Sequence, residues 1–157
     1  MTRFDSSTWL ARALCRFQKA RSITGGSRYV RDVRAIEHLT RLQEWCQARR
    51  IELQFTRGGD GTFDGRRRSI NICAYLSPVR QVHVLLHECG HFLIGDRRLV
   101  HRVDVLDDEI DAWRRGAALA RRLRLDIDIE EYNRTRAKYV SSYLRWALRR
   151  KRGKIPG

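Results

Sequence analysis

Hydrophobic positions along the chain change their period several times, and each change marks an element. Leu10, Ala13, Leu14 and Phe17 recur at helical spacing behind the capping residues Asp5, Ser6 and Ser7, which predicts a helix over 5–20. Gly25-Gly26-Ser27 breaks it. A second helix is expected from about Val30 to Arg49, with Val33, Ile36, Leu39, Leu42, Trp45 and Cys46 on one face. Ile51, Leu53 and Phe55 then alternate, as a half-buried strand does. Past a glycine-rich turn at 58–61, Asp64-Gly65 predicts a hairpin between Thr62-Phe63 and a strand from Ser69 to Ala74.

Ser77-Pro78 opens the next helix, over 78–94, because proline suits a first helical turn. A polar stretch from Gly95 to Asp104 leads to helices at about 106–124 and 128–150. The last one carries Tyr132, Tyr139, Tyr143 and Trp146 on one side and Arg134, Lys138, Arg145 and Arg149 towards another. Helices, a short sheet, then helices again make an α+β arrangement, with helices around a small, mostly antiparallel sheet.

The chain has 157 residues, enough for one sizeable core. It reads as a single domain over 1–150 followed by a basic, disordered tail at 151–157. No apolar run is long enough for a bilayer span and the N-terminal segment lacks a signal-peptide core, so a cytoplasmic chain without a membrane partner is expected. Cysteines 15, 46, 73 and 89 form no CxxC pair, which excludes a zinc ribbon and a dense disulfide framework. They read as free, mostly buried thiols.

Charge is uneven. Lys and Arg number 33 against 18 Asp and Glu. Residues 1–57 hold 12 basic and 5 acidic groups, and 114–157 hold 14 and 4, whereas 58–113 hold 7 and 9. The basic terminal helices are a candidate surface for nucleic acid or an acidic partner. An arginine-rich, merely solvated surface is the alternative.

The acidic middle contains His87-Glu88-Cys89-Gly90-His91. Histidines four apart stand one turn above each other on the same helix face, a spacing that lets two imidazoles grip one tetrahedral ion. Glu88 is rotated about 100° from His87. There it can take a proton from a zinc-activated water and deliver it to a leaving amine. The apolar neighbours Val82, Val84, Leu85, Leu86, Phe92 and Leu93 suit a buried helix.

A catalytic zinc needs a third protein ligand and an open position. Glu109 is the first choice: it leads the face shared by Ala112, Trp113, Gly116, Ala117 and Ala120. A carboxylate on such a face is costly to bury unless something cationic meets it. The small residues at 112, 116 and 117 would let this helix come close to the motif helix. Glu109 could instead belong to a solvated acidic first turn with Asp107, Asp108 and Asp111. His101 is an alternative ligand if the preceding loop folds back. Cys73 would need unusual strand geometry, and His83 lies about 12 Å from His91 along the helix, as a supporting or surface group.

The stretch Leu85-Leu86-His87-Glu88-Cys89-Gly90-His91-Phe92-Leu93, followed by Glu109-Ile110-Asp111-Ala112-Trp113, resembles the ImmA/IrrE-like metallopeptidases, small zincins of bacterial and phage origin. The resemblance covers roughly residues 50–124. It implies a zincin-like fold with a sheet before the motif helix, one catalytic Zn2+ bound by His87, His91 and Glu109, and Glu88 as the base. It also implies a zinc-dependent endopeptidase acting on a protein substrate of the regulator type. Zincins commonly hold substrate by strand addition, for which the hairpin around Ser69-Ile70-Asn71-Ile72 is the candidate. Tyr75, His101, Tyr139 and Tyr143 are candidate oxyanion donors.

Two other functions remain open at this point. One is a DNA-associated protease resembling the SprT group, with His101 as third ligand. The other is a non-catalytic nucleic-acid-binding or phage structural protein in which the metal only stabilises the fold.

Overall fold

The computed structural model describes residues 26–95 and 102–151. The helix expected at 5–20, Cys15, His101 and the tail from 152 onward lie outside the described residues. The described chain is α+β, with four helices and a three-stranded sheet. It forms two compact units, residues 1–85 and 86–157, and the boundary falls within a continuous helix.

In the first unit, helix α1 (Gly26–Gln47) buries Ala35, Ile36, Leu39, Leu42, Trp45 and Cys46, the face that the periodicity marks. It ends without a glycine. Arg50 takes φ 56°, its N–H bonds to Gln47 O at 2.9 Å, and Ile51 N–H bonds to Cys46 O at 3.0 Å. This is the Schellman arrangement, built on an arginine where glycine is usual. The turn delivers the chain into strand β1 (Glu52–Thr56).

Strands β2 (Gly61–Asp64) and β3 (Ser69–Cys73) form the expected hairpin, with Asp64 opposite Ser69. The Asp64 carboxylate accepts the N–H groups of Arg66 and Arg67 at 3.0 and 3.1 Å, which closes the turn. The sheet differs from expectation in two ways. Its order is β1-β3-β2, and β1 runs parallel to β3, so the sheet is mixed and not mostly antiparallel. The connection at 57–60, with Gly59 at φ 69°, carries the chain across β3 to its far side. As a consequence β3 is the central strand, hydrogen-bonded on both edges. Residues 69–72 therefore cannot receive a substrate strand. Among the described residues the edge strands are β1 and β2.

Helix α2 (Pro78–Ile94) begins at the expected residue. Ser77 Oγ accepts the Arg80 N–H at 3.4 Å, and the Gln81 side-chain amide donates to the carbonyls of Cys73, Ala74 and Leu76 at 3.2–3.3 Å, tying the entry loop to the first turn. Every residue from Gln81 to Gly90 is buried. Such a helix has no solvated face, so each polar side chain on it needs a partner. His83 is one of these buried residues, which excludes the surface role considered for it.

The second unit holds the end of α2, helix α3 (Arg102–Arg122) and helix α4 (Ile129–Lys151). Helix α3 starts about a turn earlier than the periodicity predicts. It ends in a second glycine-free Schellman turn, with Arg124 at φ 51° and Leu125 N–H on Ala120 O at 2.9 Å. Asp128 caps α4 by accepting from the N–H groups of Glu130 and Glu131 at 3.0 and 2.9 Å.

Helices α2 and α3 touch backbone to backbone. A Cβ at Gly116 would stand 2.5 Å from Leu86 O, and one at Gly90 would stand 2.9 Å from Ala112 Cα. Going up α2 from 86 to 90 means going down α3 from 116 to 112, so the two helices cross antiparallel. Tyr132 of α4 is buried over this crossing and donates its hydroxyl to Trp113 O at 3.0 Å. The cysteines Cys46, Cys73 and Cys89 are buried, as expected. No helix among the described residues is long and apolar enough to cross a membrane.

Candidate metal centre

Continuing the antiparallel crossing by one turn brings the first half of α3 beside His87 and His91. The two imidazoles face each other with Nε2 atoms 3.2 Å apart. Glu109 enters between them: one carboxylate oxygen is 3.2 Å from His87 Nε2 and the other 3.5 Å from His91 Nε2. Glu88 is buried next to the same pair, and His87, Glu88 and His91 each bring a potential ligand atom within 4.8 Å of the others. This His-Glu-His group can hold a metal ion.

Asp108, one residue before Glu109, takes the other side of His91. Its Oδ2 lies 3.2 Å from His91 Nδ1. A carboxylate only accepts, so Nδ1 carries the hydrogen towards Asp108, and Nε2, which faces Glu109 and His87, is the nitrogen that would give up its proton to bind a metal. The tautomer this leaves is the one a metal-binding imidazole requires. His87 is held differently. Its Nδ1 is buried with no hydrogen-bond partner among the described residues, and its ring stacks on Trp113 with centroids 4.4 Å apart and planes 19° from parallel. Tyr132 meets Trp113 edge-on at 5.2 Å, and Tyr139 lies 5.4 Å from Trp113 and 6.5 Å from His87.

Electrostatics follow from this packing. Burial alone would raise the Glu109 carboxyl, but the polar N–H groups and charge of the His87 and His91 imidazoles beside it outweigh burial and hold the carboxyl at about 2, against a usual 4.5. Burial lowers His87, and the pull of Glu109 does not overcome it. Burial also works against the protonated form of His91, but there Glu109 prevails and the pKa is raised. Tyr143 is raised too, first by burial and then by the negative charge of Glu109 nearby. Its phenol thus stays protonated at neutral pH.

The structure therefore brings together His87, Glu88, His91 and Glu109, the four site residues expected from the sequence. Of the candidate donors, Tyr139 and Tyr143 reach this cluster, whereas Tyr75 is 65% exposed in the first unit. His101 lies outside the described residues. Cys73 is buried on β3. Asp108 and the stacking role of Trp113 are additions that sequence reasoning missed. Their one visible signal was membership of the acidic start and the apolar face of α3. No protein-family model, curated protein or solved structure gives a significant match to this chain.

Proposed function

We propose that this chain is a zinc-dependent endopeptidase in which His87, His91 and Glu109 hold one zinc ion and Glu88 is the general base. The observation that carries the reading is the spacing of three ligand groups. Ligands about 2.0–2.1 Å from a tetrahedral ion stand roughly 3.3 Å from one another. The two Nε2 atoms are 3.2 Å apart, and Glu109 brings one oxygen to 3.2 Å from His87 Nε2 and the other to 3.5 Å from His91 Nε2. A second point of fit is Glu109 Oε2, a buried carboxylate oxygen without an aligned hydrogen bond among the described residues although His87 Nε2 is 3.2 Å away. A cation satisfies such an atom better than a misaligned imidazole does.

Zinc bound there would lower the pKa of a coordinated water towards 7 and polarise a substrate carbonyl. Glu88 projects from the turn that carries His87, beside the ligands, where it accepts the proton of the attacking water and returns it to the leaving amine. Asp108 and Trp113 fix the two rings. Tyr143 supplies a protonated hydroxyl at the edge of the cluster, suited to the charge that develops on the carbonyl oxygen. The resemblance of residues 50–124 to ImmA/IrrE-like metallopeptidases leads to the same ligand set and directs the reading to a protein substrate.

Metal content and cleavage separate the parts of this proposal. The wild-type chain should carry one zinc by elemental mass spectrometry, Glu109→Ala should lose it, and Glu88→Gln should keep it. Incubation with a host-cell proteome should yield new peptide termini with the wild type and none with Glu88→Gln. Zinc retained by Glu109→Ala would overturn the ligand assignment. Identical termini from wild type and Glu88→Gln would overturn the enzymatic one.

A further inference from the structure

A cleft of about 510 Å³ opens between α3 and α4, on residues that take no part in the metal centre's ligand set. Arg114, Arg115 and Arg121 line it from α3 and Arg136 from α4, with Ala117 and Ala118 between the arginines. Asp111 is the single carboxylate of this lining among the described residues, and it is already paired with Arg114 at 3.2 Å. The lining thus carries an excess of three positive charges, the rest of it being the uncharged Trp113, Ala117, Ala118, Ile129, Tyr132 and Asn133. Alanines at 117 and 118 leave the space that larger side chains would fill.

We propose that this cleft binds the phosphodiester backbone of a nucleic-acid strand, without sequence preference. Charge complementarity is the first reason: a groove lined by guanidinium groups attracts phosphate, and arginine forks match its oxygens. Spacing is the second. Arg114 and Arg121 are seven residues apart, about 10 Å along the helix. A strand with a phosphate every few ångströms can occupy the whole of that span, placing a separate phosphate on each guanidinium. The wider surface is the third, since residues 114–157 hold 14 basic and 4 acidic groups and extend the same sign of charge beyond the cleft. This suits a polymer. Arginine forks directed at phosphates fix a strand's position without reading its sequence, which is why sequence preference is not expected.

The test uses the full chain and a fluorescein-labelled single-stranded DNA 20-mer of mixed sequence, with affinity measured from about 50 mM to 1 M NaCl. Arg121→Gln/Arg136→Gln removes two cleft cations, and Arg122→Gln/Arg134→Gln removes two exposed cations outside it. Each phosphate contact on a single strand contributes about 0.7 to the slope of log affinity against log salt. The cleft pair should therefore flatten the slope by about 1.4, which at tenfold lower salt is about 25-fold weaker binding. The outside pair should leave the slope nearly unchanged. Arg121→Lys/Arg136→Lys, which keeps the charge, should retain most of the slope and so guard against misfolding of the glutamine variant. Zinc content should be the same in all, so failure here is separable from failure of the peptidase reading. Equal loss from both glutamine pairs would overturn the cleft as the site. So would wild-type binding that does not respond to salt, or displacement of the 20-mer by 10 mM inorganic phosphate at constant ionic strength.

Discussion

Gly90→Ala tests the helix contact on which the whole centre depends, because its two opposing effects differ in sign. In an open helix interior, replacing glycine by alanine stabilises by about 1 kcal/mol. At Gly90 the new Cβ would fall onto the Ala112 carbonyl, 2.7 Å from its carbon, whereas ordinary contact begins at 3.4 Å. The obstacle is backbone, not a flexible side-chain end. Helices α2 and α3 must separate locally by more than about 0.7 Å, the difference of those two distances, because the carbonyl oxygen lies closer still. Overpacking of this kind costs about 1–3 kcal/mol or more. Because the clash is with backbone, the upper part of that range applies and outweighs the propensity gain, so net destabilisation of about 2 kcal/mol is expected. For a chain of this size each kcal/mol lowers Tm by about 2–4 °C.

The same displacement has a second readout. Metal sites tolerate ligand shifts of about 0.2 Å. Moving α3 by several times that amount withdraws Glu109 from His87 and His91, so zinc affinity should fall by at least tenfold, even where the fold survives. Calorimetric Tm and a competitive zinc titration measure the two effects. Gly58→Ala is the control: a Cβ there meets nothing within 4 Å, and its Tm should be unchanged or slightly raised. A Gly90→Ala chain with wild-type Tm and wild-type zinc affinity would refute the close backbone contact.

Three further outcomes follow from the centre itself. Asp108→Asn can still hold His91 Nδ1 through its amide oxygen but loses the charge, so zinc affinity should drop roughly 10-fold, and Asp108→Ala up to 100-fold, by the same titration. Trp113→Phe keeps a ring against His87 and should cost less zinc affinity than Trp113→Leu; equal affinities would show that stacking does not orient the ligand. In the metal-free chain, Glu109 sits at about 2 against a usual 4.5. A depressed carboxyl contributes stability that is present above its unfolded value and is lost as pH falls through the folded one. The Tm advantage of wild type over Glu109→Gln should accordingly shrink between pH 4.5 and about 2. An advantage that is independent of pH over that window would contradict the ion-pairing of Glu109 with the imidazoles.

How far the sequence reached depends on whether an element is determined by its neighbours in the chain. Helix α2 was legible to the residue because Ser77, Pro78 and the apolar run that follows are local signals. So was the hairpin at Asp64-Gly65. The parallel pairing of β1 was not, since alternation in Ile51, Leu53 and Phe55 reports which side is apolar and not which strand lies alongside. Strand β3 misled for a related reason. Ser69-Ile70-Asn71-Ile72-Cys73 alternates like an edge strand, yet four of its five residues are buried. Ser69 is covered despite its polarity, which no periodicity announces. The Schellman turns at Arg50 and Arg124 lack the glycine that would mark them.

The centre divides along the same line. The i, i+4 histidine pair is a local property of one helix and was readable from spacing alone. Among Asp107, Asp108, Glu109 and Asp111, which carboxylate meets which imidazole is decided by the rotation of α3 about its own axis. That rotation is set a turn or two away, where Gly116 admits the Leu86 backbone and Ala112 lies against Gly90. Once it is fixed, three contacts follow together: Asp108 on His91, Glu109 between both rings, and Trp113, one turn beyond Glu109, flat against His87. One helix thus supplies the third ligand candidate and the support for the other two. A substitution that rolls α3 should disturb all three contacts at once, whereas one at Asp108 or Trp113 should disturb a single ring, and this difference in coupling is measurable by double-mutant cycles on zinc affinity.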